Sequence, residues 1–200
     1  MILFLGNSIT EGYGLAPRLA FPERVAERLA EVRAARGEPP LPCVNGGRAG
    51  DTSGAALRRL PGYLREASDG RRITHLVIEL GINDVLQGLP DSMILQSLRE
   101  IVRLAREHNP DVRVFLFRIP ELPGNPMDWN AERARALSPE SCLPAIAQMA
   151  AEDPEITLLP FLLEGILFEP ELNQPDGIHP NPAGQDRLVE NVWAALRDLI

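Results

Sequence analysis

The sequence predicts an α/β protein, a three-layer α/β/α sandwich around a central, mostly parallel five-stranded sheet of flavodoxin-like type. Two observations lead there. Short apolar runs without in/out alternation recur along the chain, which is how strands covered on both faces read. Segments with apolar residues at helical spacing separate these runs, the order that builds crossover units rather than hairpins. No repeat, low-complexity tract or linker interrupts the pattern, so residues 1–200 are expected to form one domain.

The elements follow in order. Residues 2–5 read as the first strand, ending in a Gly-rich turn. Residues 23–36 carry Val25, Leu29 and Val32 at helical spacing, with Gly37 and Pro39-Pro40 as the stop. Residues 41–44 read as the second strand, followed by a Gly-rich loop to Gly54 and a helix to about residue 67. The apolar run 73–80 is the third strand. Asp91 is expected to cap a helix containing Ile94, Leu98, Ile101, Val102 and Ala105, which ends at His108-Asn109-Pro110. Residues 112–119 form the fourth strand and lead into a Pro-rich loop. Residues 131–151 read as mostly helical with a break at Ser138-Pro139, 156–159 as the last strand and 182–200 as the closing helix.

Composition narrows the function. A net charge of −8 argues against a nucleic-acid partner, since such affinity comes from clustered Lys and Arg. The arginines instead sit beside Glu, as in Glu23-Arg24 and Glu27-Arg28, the pattern of solvated helix faces. No apolar run reaches the ~20 residues of a membrane-spanning helix, so stable membrane insertion is not expected. Cys43 and Cys142 have neither zinc-type nor redox-pair spacing and are expected as ordinary buried thiols, one disulfide being the alternative. The opening Met1-Ile2-Leu3-Phe4-Leu5-Gly6 lacks a basic n-region and a cleavage site. As written the chain reads as cytoplasmic, with export after removal of a leader left open.

In parallel sheets ligands sit beyond the carboxyl ends of the strands, and four patches fall there. Gly6-Asn7-Ser8-Ile9-Thr10 follows strand one, where a serine can project into the crevice; alone it would read as a turn or cap serine. Asp176-Gly177-Ile178-His179-Pro180-Asn181-Pro182 offers a base with a carboxylate three residues away, within one local turn. The other two histidines have simpler readings. His75 lies at a strand entrance and His108 in the last turn of a helix, where the dipole favours a cation. Gly81-Ile82-Asn83-Asp84 follows strand three and can aim an amide NH2 into the crevice. Asn45-Gly46-Gly47-Arg48-Ala49-Gly50-Asp51-Thr52 follows strand two, and Gly50 can expose its N–H there. Donors aimed at one point suit a developing oxyanion.

These four blocks, in this order, resemble the SGNH (GDSL-type) hydrolases. They read Gly6-Asn7-Ser8, Gly50-Asp51-Thr52, Gly81-x-Asn83-Asp84 and Asp176-x-x-His179-Pro180, and together they span nearly the whole chain. Gly50-Asp51-Thr52-Ser53, Glu79-Leu80-Gly81-x-Asn83-Asp84 and Leu158-Leu159-Pro160-Phe161 are most similar to the arylesterase and acyl-CoA thioesterase I/lysophospholipase branch. The resemblance implies Ser8 as nucleophile, His179 as base and Asp176 as its orienter. It implies an oxyanion hole from the N–H groups of Ser8 and Gly50 and the side chain of Asn83, with no cofactor and no metal. The chain departs at two positions. Asn7 stands where the family usually has Asp; it keeps one acceptor oxygen, adds two donors and loses the charge. Ile82 stands where glycine is common and adds bulk beside Asn83.

The expected activity is hydrolysis of carboxylic esters or thioesters with short to medium acyl or aryl groups. A small-molecule ester or thioester is then the only partner implied. By loop position Leu86, Met127 and Ile166 are the expected substrate contacts. Leu89, Leu122, Pro123, Trp129 and Phe168 are further nonpolar candidates around the crevice, and for all eight core packing is the competing reading. Two other readings compete: a catalytically silent module binding an acylated or carbohydrate ligand, and a metal hydrolase using Asp84, Asp176 and His179.

Overall fold

A computed structural model describes residues 1–66, 72–121, 128–138 and 140–200. Five parallel strands form one sheet in the order β2-β1-β3-β4-β5: β1 (Ile2–Gly6), β2 (Cys43–Gly47), β3 (His75–Glu79), β4 (Arg113–Phe117) and β5 (Ile156–Leu159). The longer helices are α2 (Phe21–Ala35), α3 (Ser53–Glu66), α5 (Asp91–His108), α7 (Pro144–Glu152) and α8 (Pro182–Leu196). Short helices α1 (Ser8–Glu11), α4 (Ile82–Leu86) and α6 (Ala131–Arg135) lie in connections.

Strand alternation builds the three layers. In β1, Ile2 and Phe4 face one side and pack with Phe21, Val25 and Leu29 of α2 and Leu188, Val192 and Leu196 of α8. Leu3 and Leu5 face the other side, in one core with Ala56 and Leu60 of α3, Leu98 and Ile101 of α5, and Ile146 and Met149 of α7. Both faces of the central strands are therefore dry, which is why their sequences lack alternation. Fully burying one such Leu or Phe is worth roughly 1.5–3 kcal/mol, so the sheet is the most firmly held part of the molecule.

The structure moves several expected boundaries. The second strand is 43–47 rather than 41–44, because pairing of Ile2 with Cys43 through Gly6 with Gly47 draws the loop-like Asn45-Gly46-Gly47 into the ladder. The N-cap of α5 is Pro90, with no side-chain bond, and Asp91 is the first helical residue. Among the described residues, region 131–151 is helical on both sides of the expected break at Ser138-Pro139, as Ala131–Arg135 and Pro144–Glu152, though the gap runs from 136 to 143. The closing helix stops at Leu196, four residues before the expected end. Residue 67, Pro139 and the loop residues Leu122, Pro123 and Met127 fall outside the described residues. Cys43 and Cys142 are free and half-buried rather than fully buried. Burial pushes the Cys43 thiol up to about 11. No helix among the described residues is long and apolar enough to cross a membrane.

The order in which the chain lays down its strands reverses at β1, which has β2 on one side and β3 on the other. The crevice beyond the carboxyl ends of β1 and β3 is thus the switch point at which such folds bind ligands.

Candidate active site

Ser8 is the first residue of α1, directly after β1. Asn7 caps that helix, its Oδ1 accepting the N–H of Ile9 at 2.9 Å. Asn7 is buried, and its Nδ2 donates to Glu79 Oε1 at 2.7 Å. Thr10 Oγ1 bonds the other oxygen of Glu79 at 3.0 Å, so the turn is pinned from below to the end of β3. Burial pushes the Glu79 carboxyl up to about 7, against the hydrogen bonds from Thr10 and Asn7 that lower it. One of the two donors that Asn7 adds is thus used, in the bond to Glu79.

His179 reaches Ser8 from the loop before α8. Its Nε2 lies 2.9 Å from Ser8 Oγ, and its Nδ1 lies 2.7 Å from Asp176 Oδ2. The other oxygen of Asp176 accepts the N–H groups of Ile178 and His179, both at 2.9 Å. Burial pushes the Asp176 carboxyl upward. The His179 N–H, the imidazole and the Ile178 N–H more than offset this and hold it below the usual carboxylate value. A fixed carboxylate on Nδ1 favours the tautomer with its proton there, which leaves Nε2 to accept from the hydroxyl.

Gly50 borders the same cleft and has φ +79°, a conformation that favours glycine. Its loop is held from three sides. Arg59 pairs with Asp51 at 2.5 Å, Glu11 accepts the N–H of Ala49 at 2.9 Å, and Asn83 Nδ2 donates to Asp51 O at 2.8 Å. Asn83 therefore spends one of its two amide hydrogens on the loop and retains a second. Among the described residues, no protein group accepts the N–H of Ser8 or of Gly50.

The cleft holds about 400 Å³, and Ser8, Gly50, Asn83 and His179 all border it. Its walls are mostly apolar and include Leu86, Ile119, Trp129, Phe161, Leu167 and Phe168. Ile82 also borders it, next to Asn83. Of the three expected substrate contacts, Leu86 lies on the cleft and is half-exposed. Met127 is outside the described residues. Ile166 corrects the expectation: it is fully buried in the core with Phe117 and Leu188, because its segment turns inward under α8.

Asp84 serves structure. Its oxygens take the Ser53 N–H at 2.8 Å and the Ser53 hydroxyl at 2.6 Å, fixing the start of α3. The metal reading needed that carboxylate to face His179. The other histidines stay apart: His75 bonds Thr74 and stacks on Phe115, and His108 ends α5 with Nε2 buried and unpaired. Three side chains at the site were not singled out from sequence. Tyr13 lies against His179, with ring centroids 4.7 Å apart. Gln174 bonds both the nucleophile turn and the histidine loop. Glu79 was quoted only as part of a motif, although a carboxylate at the end of the run Leu76-Val77-Ile78 could have signalled a buried partnered group.

Fold and site together define a three-layer α/β/α protein that carries Ser, His and Asp side chains in hydrogen-bonded sequence at the carboxyl edge of a parallel sheet. The chain belongs to the GDSL-like lipase/acylhydrolase family, whose model matches residues 4–187, and by class it is a carboxylic ester hydrolase. It is 33% identical over 199 residues to the esterase TesA of Pseudomonas aeruginosa, covering 100% of this chain and 89% of that protein. It is 27% identical over 199 residues to thioesterase 1/protease 1/lysophospholipase L1 of Escherichia coli K12, covering 100% of this chain and 84% of that one. A crystal structure of TesA superposes with a TM-score of 0.74 at 31% identity, covering 100% of this chain and 99% of the other.

Proposed function

We propose that the protein hydrolyses carboxylic esters or thioesters with short to medium acyl or aryl groups through an acyl-enzyme on Ser8. The observation that carries this reading is the pair of hydrogen bonds joining Ser8 Oγ, the imidazole of His179 and Asp176, at 2.9 and 2.7 Å. In the first step Ser8 Oγ bonds to the acyl carbon while His179 Nε2 takes the hydroxyl proton. The bond to the leaving oxygen or sulfur then breaks, and His179 returns the proton to it. In the second step His179 takes a proton from water, the hydroxide attacks the acyl carbon, and Ser8 leaves with its proton restored. Asp176 stabilises the imidazolium that forms in each step.

The N–H groups of Ser8 and Gly50 and the second amide hydrogen of Asn83 are the candidate donors for the oxyanion. One such donor is worth about 2.7–4 kcal/mol. The apolar walls suit an acyl or aryl group, and a cleft of about 400 Å³ suits a short to medium one.

The test compares wild type with Ser8→Ala on a chain-length series of nitrophenyl esters and acyl-CoAs. An organophosphonate should label wild type once, at Ser8. Ser8→Ala should lose about 10³-fold or more in kcat. Turnover retained in Ser8→Ala would remove the reading.

A further inference from the structure

The hydroxyl and the imidazole come from segments 171 residues apart, and proton transfer needs them within hydrogen-bond reach. Among the described residues, just one other hydrogen bond joins residues 7–14 to residues 172–181. Gln174 Nε2 donates to Tyr13 O at 2.7 Å. The same Nε2 donates to Pro180 O at 3.2 Å, directly after His179, and the Gln174 main-chain N–H donates to His179 O at 2.7 Å. One side chain therefore grips the nucleophile turn with one hydrogen and the histidine loop with the other.

We propose that Gln174 is a positioning residue for the reaction, its amide holding the turn that carries Ser8 in register with the loop that carries His179. Two features show that the contact is built in. A Cβ at Gly14 would lie 2.4 Å from Gln174 Oε1, so a larger residue there would have to displace the amide, and Gly14 has φ +78°. The anchored residue is also the one whose ring lies against the base. Tyr13 is 49% exposed, yet its ring centroid lies 4.7 Å from that of the His179 imidazole, the rings tilted by 43°. Tyr13 is held at both ends, its N–H donating to Ser8 O at 3.0 Å and its carbonyl accepting from Gln174.

The consequence is geometric. Without the amide, the reacting hydrogen bond, which breaks in every turnover, is the one hydrogen bond left between these segments among the described residues, beside the ring contact of Tyr13 with His179. A displacement of about 1 Å between reacting groups can cost about 10²-fold. Gln174 itself does not border the cleft, whereas Tyr13 does, so Gln174 can affect substrate binding only through the residues it holds.

This inference rests on the proposed roles of Ser8 and His179, and the experiment separates the two. Wild type, Gln174→Ala and Gln174→Glu are compared for kcat and KM on a short nitrophenyl ester from pH 5 to 9. Labelling of Ser8 by an organophosphonate is measured on the same samples. Gln174→Ala should lose about 10- to 100-fold in kcat with KM within about twofold, while Ser8 is still labelled stoichiometrically but more slowly. In Gln174→Glu a carboxylate would face two carbonyl oxygens, whereas the protonated acid can donate to Tyr13 O. Its kcat relative to wild type should therefore rise as pH falls. Asp176 and His179, the titratable groups of the same loop, are present in both proteins. Should Gln174→Ala fail to fold, the pH dependence of that ratio decides alone. A Gln174→Ala kcat within twofold of wild type, or a ratio constant with pH, overturns the proposal and leaves the role of Ser8 standing. Absence of Ser8 labelling in wild type removes both.

Discussion

At the level of single residues, Asn7 has the most consequential neighbour. Its amide nitrogen can only donate, so Glu79 Oε1, 2.7 Å away, must accept. With Asn at this position one carboxylate lies under the nucleophile, where the family's usual Asp would make two. Two carboxylates at that separation cannot both ionise and would share a proton as a coupled pair. Asn7→Asp should therefore keep activity near neutral pH, with one proton replacing the amide hydrogen in the bond to Glu79. Above the pair's upper apparent pKa that bond becomes a repulsion beneath Ser8. The variant's kcat/KM should then fall by about tenfold per pH unit while wild type holds its value. Parallel pH profiles for the two proteins would show that residue 7 does not communicate with the nucleophile through Glu79.

At the level of elements, α8 both closes the fold and carries the loop of the base. Asn181 caps it, with Oδ1 accepting the Gly184 N–H at 3.0 Å. Its Nδ2 donates to Glu171 O at 2.8 Å and Asn173 O at 3.1 Å, which ties the start of the helix to the segment leading into Asp176. Asn181→Ala should cost about 1–2 kcal/mol in urea denaturation, at the upper end of cap losses because two carbonyls are also left without this donor. A loss below about 0.3 kcal/mol would mean that water replaces all three bonds. This element also shows what sequence could reveal. Asn181-Pro182 before an apolar periodic run is a start signal in itself, and the helix begins there. The dry central strands were equally legible, since burial on both faces writes itself as unbroken hydrophobicity. The short helices α1 and α4 were not, because four or five residues carry no period. Edge strand β2 was displaced because its position is set by pairing with β1, and pairing leaves no local mark. The site divides likewise: Ser8, His179 and Asp176 stood out through residue type and loop position. Tyr13 and Gln174 are joined through a backbone carbonyl, which any residue could supply, so no letter of the sequence announces the contact. Ile166 failed for a related reason, since an apolar residue in a loop reads the same whether it faces a cleft or the core.

For the whole molecule, the buried Glu79 and the half-buried His75 pull stability in opposite directions over one pH range. Burial raises Glu79 from 4.5 to about 7, so between those values the folded protein holds a proton that the unfolded chain has released, and stability falls as pH rises. Burial, together with the charges of Arg113, the N-terminal amine and Arg33, lowers His75 from 6.5 to about 4. Between those values the unfolded chain holds the extra proton, and stability rises with pH. Asp176 is shifted downward, so its contribution is lost only at pH below its ordinary value of 3.8 and does not enter this range. Glu23 is raised by burial and adds in the same sense as Glu79. Wild type should consequently show a flatter stability profile from about pH 4.5 to 7 than either group alone would give, and single substitutions should separate the two. The stability of Glu79→Gln relative to wild type should climb across this range by about 2–3 kcal/mol, whatever its offset at the acid end. That of His75→Gln should fall as pH rises from 4 to 6.5. Guanidinium denaturation at half-unit pH steps measures both differences, and a Glu79→Gln difference that stays constant with pH would show that Glu79 titrates alike in the folded and unfolded chain. The carboxylate beneath Ser8 would then be charged at neutral pH, and the pH dependence argued for Asn7→Asp would have to arise from residue 7 alone.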